Sequence, residues 1–105
     1  MTLTEHLLTR IAEEGAEVTQ RATKALVFGL HEVQEGQSKD NLQRLIYEFN
    51  DLVAVMKILM VNEGGREGAI FDEEAQLVKS LKLSHWLEYS KKMGTLQDVS
   101  STKDK

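Results

Sequence analysis

The chain has 105 residues, a formal net charge of −4, and neither cysteine nor proline. The length predicts one domain, and the lack of cysteine excludes disulfides, thiolate metal sites and cysteine nucleophiles. Because there is no basic tract, duplex nucleic acid is not an expected partner. No signal peptide or membrane-spanning apolar run is visible, so we expect a cytoplasmic protein that does not enter a membrane.

Apolar residues recur at three- and four-residue steps from about Thr4 to Leu30, which predicts a first helix capped by Thr4. The polar segment HEVQEGQSKDN predicts a loop, and a second helix then runs to about Val61. The candidate caps of this second helix are Ser38, Asp40 and Asn41.

The glycine-rich segment NEGGREGA predicts a second loop. Asp72, followed by two acidic residues, predicts the start of a third helix, which ends near Met93 and Gly94 and has a break near Ser84. We therefore predict an all-α fold of three to four helices arranged as a bundle. The expected catalytic domain covers residues 1–94, and residues 95–105 form a polar tail that we expect to be flexible.

The second predicted helix is apolar on most sides, as its sequence RLIYEFNDLVAVMKILMV indicates. A domain of this size buries only a modest core, so the helix needs cover from outside its own subunit. We therefore expect a homo-oligomer, either a dimer or a tetramer.

Two acidic pairs stand out, Glu14 with Glu17 in EEGAE and Glu48 with Asp51 in EFND. Residues three apart lie on one face of a helix, so two antiparallel helices can aim all four carboxylates at one point. The repulsion between such charges would be strong, and a divalent cation removes it. Ligand sets made only of oxygen suit Mg²⁺ or Mn²⁺.

A simpler explanation competes in the first helix. Arg10 and Arg21 lie four residues from Glu14 and Glu17, so ion pairs along a solvated stripe account for these two acids. Asp51, in contrast, has no basic residue among its helical neighbours, and an acid without a partner in an apolar helix indicates a functional site. A di-iron carboxylate site is not favoured, because no histidine follows a candidate acid by three residues.

These acids carry a family resemblance. EEGAE followed by EFND resembles the ExxE…ExxD signature of the MazG-like nucleoside triphosphate pyrophosphohydrolases, of the all-α pyrophosphatase superfamily. The segments AEVTQRATKALVFGL, YEFNDLVAVMKIL and KLSHWLEYSKKMG look like the helices of small phage and bacterial members, so the likeness covers roughly Leu7 to Gly94. There are two departures. The 30 residues between Glu17 and Glu48 form a long interval for the family, and Val27 stands where many relatives have a basic residue.

The resemblance implies hydrolysis of a nucleoside triphosphate between its α and β phosphates, giving the monophosphate and pyrophosphate. It implies Mg²⁺, with Mn²⁺ as a substitute and more than one ion per site. The likeness to phage-type members favours a purine substrate, dGTP or dATP. If the protein is phage-encoded, it would act in the host cytoplasm. Glu14, Glu17, Glu48 and Asp51 match the family's metal ligands, and Lys24 matches a lysine that reaches the phosphates. An acid that is not fully used as a ligand would accept the proton of the attacking water.

Four further residues are weaker candidates for substrate contacts. Arg21 could bind phosphate, while Asn50, which lies between the two acids of the second helix, could read a base edge or bond the loop backbone. Lys82 and Tyr89 match a family pattern that contacts phosphate from a neighbouring subunit. Three aromatic side chains could stack on a base: Phe28, Tyr47 and Trp86. Aromatic residues at helical spacing more often belong to a core.

Two alternatives remain open on the sequence. The same fold could act on dUTP or phosphoribosyl-ATP, or the chain could be a non-catalytic helical adaptor whose acids are all paired.

Overall fold

The computed structural model describes residues 1–97, and every regular element in that range is helical. Helix α1 spans Leu3–Phe28, α2 spans Asn41–Asn62 and α3 spans Glu73–Lys92. A short 3₁₀ turn at Glu67–Ile70 follows α2. The predicted all-α fold is therefore confirmed, with three helices in the described range.

Two compact units divide the chain at residue 70. Met1–Ile70 contains α1 and α2, and the second unit, which begins at Phe71, contains α3. The expected catalytic domain over residues 1–94 stays a prediction. Of the predicted tail, residues 98–105 lie outside the described range. Within that range, each helix falls short of the length or the apolarity that crossing a bilayer requires.

Helix α1 begins at Leu3, one residue before the predicted start near Thr4, and Thr2 rather than Thr4 caps it. The Thr2 hydroxyl accepts a hydrogen bond from the Glu5 amide at 3.1 Å, and the Glu5 carboxylate accepts one from the Thr2 amide at 2.9 Å. The Thr2 amide, followed by the Thr2 hydroxyl, lowers the pKa of Glu5. This reciprocal capping box satisfies two helix-end donors at once, which a cap at Thr4 would not do.

Side-chain hydrogen bonds at both ends show that α1 and α2 run antiparallel. At one end the Thr4 hydroxyl donates to Glu63 at 2.6 Å and accepts from the Asn62 amide at 3.1 Å. At the other end the side chain of Asn41, the first residue of α2, donates to the Gly29 carbonyl just after α1 at 2.8 Å. The start of each helix is thereby joined to the end of the other.

Asn41 is the most buried described residue, at 2 % exposure. Its Nδ2 group donates to Gly29 and also to Glu32 Oε1 at 2.9 Å, and its backbone amide donates to the Glu32 carbonyl at 3.2 Å. Gly29 can accept this approach because its φ of 105° lies in a region that side-chain-bearing residues rarely adopt. The cap of α2 is Asp40, one of the three predicted candidates, in a second reciprocal box with Gln43.

The seam between α1 and α2 is unusually polar. The buried residues of α1 are Leu7, Glu14 and Arg21, which recur at seven-residue intervals and so form one stripe. Leu7 is the single buried apolar residue in the described range. Many of the larger apolar side chains of both helices are half-buried, and others, such as Leu26, Ile46 and Ile58, are exposed.

Helix α3 begins where the sequence predicted. Asp72 caps it by accepting from the Ala75 amide at 2.9 Å. The helix continues through Ser84 without the predicted break and is capped at its C-terminal end by Met93. Trp86 makes edge-to-face contacts with His85 and Tyr89, with ring centroids 5.3 and 5.6 Å apart.

Replacing Asn41 by alanine is expected to lower the free energy of unfolding by about 2 kcal/mol, because the Gly29 carbonyl loses its donor in a buried setting. Urea unfolding followed by far-ultraviolet circular dichroism would measure the loss. Asn50→Ala is the matched control, since Asn50 is exposed and donates only to the backbone of its own helix; its effect should stay within about 0.5 kcal/mol. Equal losses in the two variants would contradict this assignment for Asn41.

Candidate metal site

Three acidic side chains from two helices meet in the first unit. Glu14 of α1 and Glu48 and Asp51 of α2 each offer a carboxylate oxygen, and these oxygens all lie within 4.8 Å of one another. Glu14 is buried, Glu48 is half-buried and Asp51 is exposed, so the group opens from the seam toward solvent. No histidine takes part in this group.

Helical geometry explains why these residues converge. Glu48 and Asp51 are three residues apart and share one face of α2, and Glu14 belongs to the buried stripe of α1. The antiparallel arrangement brings the middle of α1 opposite the middle of α2, where the two acidic pairs lie. The predicted meeting of acids from two helices therefore occurs for these three residues.

Glu17, the fourth predicted ligand, lies outside this group of three. It is exposed, yet its charge contributes to the electrostatic environment of Glu48. Glu17 thus borders the cluster without sharing its close mutual contacts.

Burial and neighbouring charge raise the pKa of the Glu48 carboxyl group. Burial is the largest cause, followed by the negative charges of Glu17, Asp51 and Glu14, while the positive charge of Arg21 acts in the opposite direction. These causes show that Glu48 is half-buried and lies in the negative field of the other three predicted ligands.

The two arginines of α1 behave differently. Arg10 forms ion pairs with Glu14 and with the exposed Glu13, both at 2.9 Å, so the expected pairing of Glu14 is confirmed. The expected pairing of Arg21 with Glu17 is wrong: Arg21 is 8 % exposed, and its Nη1 atom is buried without a hydrogen-bond partner among the described residues. A buried guanidinium N–H without an acceptor is costly.

Lys24 lies beside a cavity of about 380 Å³ at the end of the helix pair where α1 leads into the loop. We call it the loop cavity, and its lining consists of Lys24, Phe28, Glu32, Gln34 and Asn41. Sequence reasoning singled out Lys24 and Phe28 but missed Glu32 and the buried role of Asn41. The polar segment SKDN before an apolar helix could have indicated the buried role of Asn41, but we interpreted that segment only as a set of helix caps.

Asn50 is exposed, and its side chain donates to the Ile46 carbonyl one turn earlier in α2, at 2.8 Å. The expected bond to a loop backbone is therefore not the one it makes, and a contact with a base edge stays a prediction. Lys82 and Tyr89 lie on α3 in the second unit, where Tyr89 and Lys92 line a shallow depression of about 470 Å³. Their contact with phosphate also stays a prediction.

Comparison of the chain with models of protein families, with curated proteins and with solved structures finds no match. The likeness to MazG-like enzymes therefore depends on the quoted sequence segments.

The raised pKa of Glu48 predicts a pH-dependent stability in the absence of metal. Because protonation is favoured in the folded state, ionising Glu48 destabilises the fold as pH rises from its ordinary value of 4.5 through the raised one. Metal-free Glu48→Gln should therefore melt roughly 2–4 °C above the unsubstituted protein at neutral pH. This advantage should shrink as pH falls toward 4.5.

Differential scanning fluorimetry in chelator at several pH values would test this. Glu13→Gln is the control, because Glu13 is an exposed neighbour outside the cluster. A Glu48→Gln variant whose melting temperature relative to the parent did not change with pH would show that the cluster does not perturb Glu48.

Proposed function

We propose that this protein is a metal-dependent nucleoside triphosphate pyrophosphohydrolase of the MazG-like type, which converts a triphosphate to the monophosphate and pyrophosphate in the cytoplasm. The observation that carries the proposal is the convergence of Glu14, Glu48 and Asp51. These are three of the four residues that match the family's ligand signature, and they come from two separate helices.

The residues present fit a hard divalent cation. The group supplies only carboxylate oxygens, which suit Mg²⁺ or Mn²⁺. Burial, followed by the negative charge of the neighbouring acids, raises the pKa of Glu48, and a cation would neutralise that charge. Glu14, Glu48 and Asp51 would hold the ion, with Glu17 at the edge of the site. When bound, such an ion would neutralise phosphate charge and lower the pKa of a water molecule.

The chain's own residues suit the remaining tasks. Glu17 is exposed and lies outside the close group, so its carboxylate is free to accept the proton of an attacking water. Arg21 and Lys24 lie one turn apart on α1, after the acids. The open Nη1 of Arg21 and the ammonium of Lys24 would bind phosphate oxygens and orient the scissile bond.

Charge balance favours more than one ion per site. The four acids contribute −4 when ionised and Arg10 with Arg21 contribute +2, so the set carries −2. One divalent cation cancels this charge but leaves nothing to offset a polyanionic triphosphate. A second ion, together with Lys24, would provide that compensation.

The purified full chain with Mg²⁺ or Mn²⁺ is expected to release pyrophosphate and a nucleoside monophosphate, with purine deoxynucleotides preferred. Asp51→Asn should lower turnover by about 100-fold or more, since it removes a ligand of a required metal. A panel of the dNTPs, the NTPs, dUTP and phosphoribosyl-ATP, with products separated by ion-exchange chromatography, would measure both results and separate the alternative substrates.

Glu13→Gln is the matched control and should keep activity within about twofold, because Glu13 lies on α1 next to Glu14 but outside the cluster. In chelator, Asp51→Asn should also melt roughly 2–5 °C higher than the unsubstituted protein, through relief of repulsion. A non-catalytic adaptor is the competing outcome. It would be indicated by no pyrophosphate from any substrate, together with no effect of metal on melting.

We also propose that the active form is a homo-oligomer, a dimer or a tetramer, in which a second copy covers one face of α2. Exposed residues at three- and four-residue steps form this face, which we call the outer stripe: Ile46, Tyr47, Asn50, Ala54, Ile58 and Val61. Four of its large apolar side chains are each more than half exposed. Asn50 bonds the Ile46 carbonyl in its own helix, so its polar group is compatible with an otherwise apolar stripe.

Ala54→Glu should convert the oligomer to a monomer, because it places a charge at the centre of the outer stripe where burial would be costly. Sedimentation velocity would detect the change. Ser38→Glu is the control, since it adds the same charge at an exposed loop position. A parent protein that sediments as a monomer, or an Ala54→Glu variant that remains oligomeric, would count against the outer stripe as the interface.

A further inference from the structure

The loop cavity holds chemistry that the metal site does not use. It is lined by a cation, an aromatic ring, a carboxylate and two amide side chains, namely Lys24, Phe28, Glu32, Gln34 and Asn41. Its volume of about 380 Å³ lies in the range of small-molecule sites. We propose that it is a guanine-binding pocket that selects the substrate of the proposed hydrolysis, so this inference rests on the proposed function.

The position of the cavity fits a nucleotide that also reaches the acids. Lys24 is seven residues after Glu17 on α1, and Asn41 is seven residues before Glu48 on α2. Each separation corresponds to about 10 Å along its helix, and because the helices are antiparallel both displacements point toward the same end of the pair. A nucleotide lying along the seam would place its phosphates near the acids and Arg21 and its base in the loop cavity.

The hydrogen bonds around Asn41 determine which groups the cavity offers to a ligand. Asn41 uses Nδ2 on the Gly29 carbonyl and on Glu32 Oε1. Among residues 1–97, nothing donates to Asn41 Oδ1 or to the second carboxylate oxygen of Glu32. Asn41 is 98 % buried, and both its side-chain Nδ2 and its backbone amide are hydrogen-bonded, so its Oδ1 atom has a fixed position.

The donors in the cavity are equally defined. Gln34 accepts from Arg44 through Oε1 at 2.9 Å, which leaves its Nε2 group to donate. Lys24 forms no ion pair with a described residue. The cavity therefore offers two acceptors, on Glu32 and Asn41, and two donors, on Lys24 and Gln34.

Guanine is the base that complements this set. Its N1–H and N2–H₂ groups are adjacent donors that match the Glu32 carboxylate, and its O6 atom is an acceptor for Gln34 Nε2, which leaves Lys24 for the phosphates. Adenine would instead direct its N1 acceptor toward the Glu32 carboxylate, and two acceptors facing each other repel. The Phe28 ring, 60 % exposed, offers a face on which a purine can stack.

Equilibrium binding of dGMP and dAMP to the full chain without metal tests the pocket separately from hydrolysis. The parent is expected to bind dGMP about 10-fold or more tightly than dAMP, and Glu32→Gln should remove most of that preference. Glu32→Gln keeps an acceptor oxygen for Asn41, so the loop should fold normally. Glu35→Gln is the control, because it removes the same charge from the same loop outside the cavity.

Isothermal titration calorimetry would give the two affinities, and thermal melting would confirm folding of each variant. Phe28→Leu provides a second variant at an exposed position and should weaken both nucleotides without changing their ratio. Selective dGMP binding that depends on Glu32, in a protein that hydrolyses no triphosphate, would support the pocket and sink the proposed hydrolysis. Equal binding of dGMP and dAMP by the parent, or equal losses in Glu32→Gln and Glu35→Gln, would overturn the guanine pocket.

Discussion

The repulsion among Glu14, Glu48 and Asp51 is the constraint that the rest of the first unit must offset. Their carboxylate oxygens lie within 4.8 Å of one another. Two arginines moderate the repulsion, Arg10 through an ion pair with Glu14 and Arg21 through its effect on Glu48. Burial first, and then the remaining negative charge of Glu17, Asp51 and Glu14, still raises the pKa of Glu48. Hydrogen bonds at both ends of the helix pair oppose the repulsion at its centre, so the fold holds the acids together before any ligand arrives.

A polar seam has a consequence for the opposite surfaces. Glu14, Arg21 and Asn41 occupy buried positions that apolar residues would fill in an ordinary helical hairpin. Leu7 alone is a buried apolar residue in the part of the chain that the structure describes, and the outer stripe of α2 is left exposed. In the proposed homo-oligomer, a second copy of the chain would cover these exposed apolar side chains.

Local signals predicted most of the fold and the centre of the site. Helical periodicity and the caps at Asp40 and Asp72 depend on nearby residues, so they are readable from sequence. Asp51 was informative because its own helix provides no basic partner. Two features required the packed structure. Arg21 was expected to pair with Glu17 four residues away, but its side chain is buried in the seam with α2. Asn41 was expected to be only a cap candidate, because its hydrogen-bond partners, Gly29 and Glu32, lie in the preceding loop.

Arg21 acts electrostatically on Glu48 of the acidic cluster and lies one turn before Lys24, which lines the loop cavity. A guanidinium that is 8 % exposed normally satisfies all its N–H groups with carboxylates or carbonyls. Here six acidic residues lie on the same two helices, yet Nη1 has no acceptor among the described residues. A solely structural role would favour the i, i+4 pair with Glu17, which the helix makes available at little cost. Under the proposed function, this N–H would bind a phosphate of the substrate. A phosphate between the acids and the loop cavity would supply the missing acceptor, while cations neutralise the acids that face it.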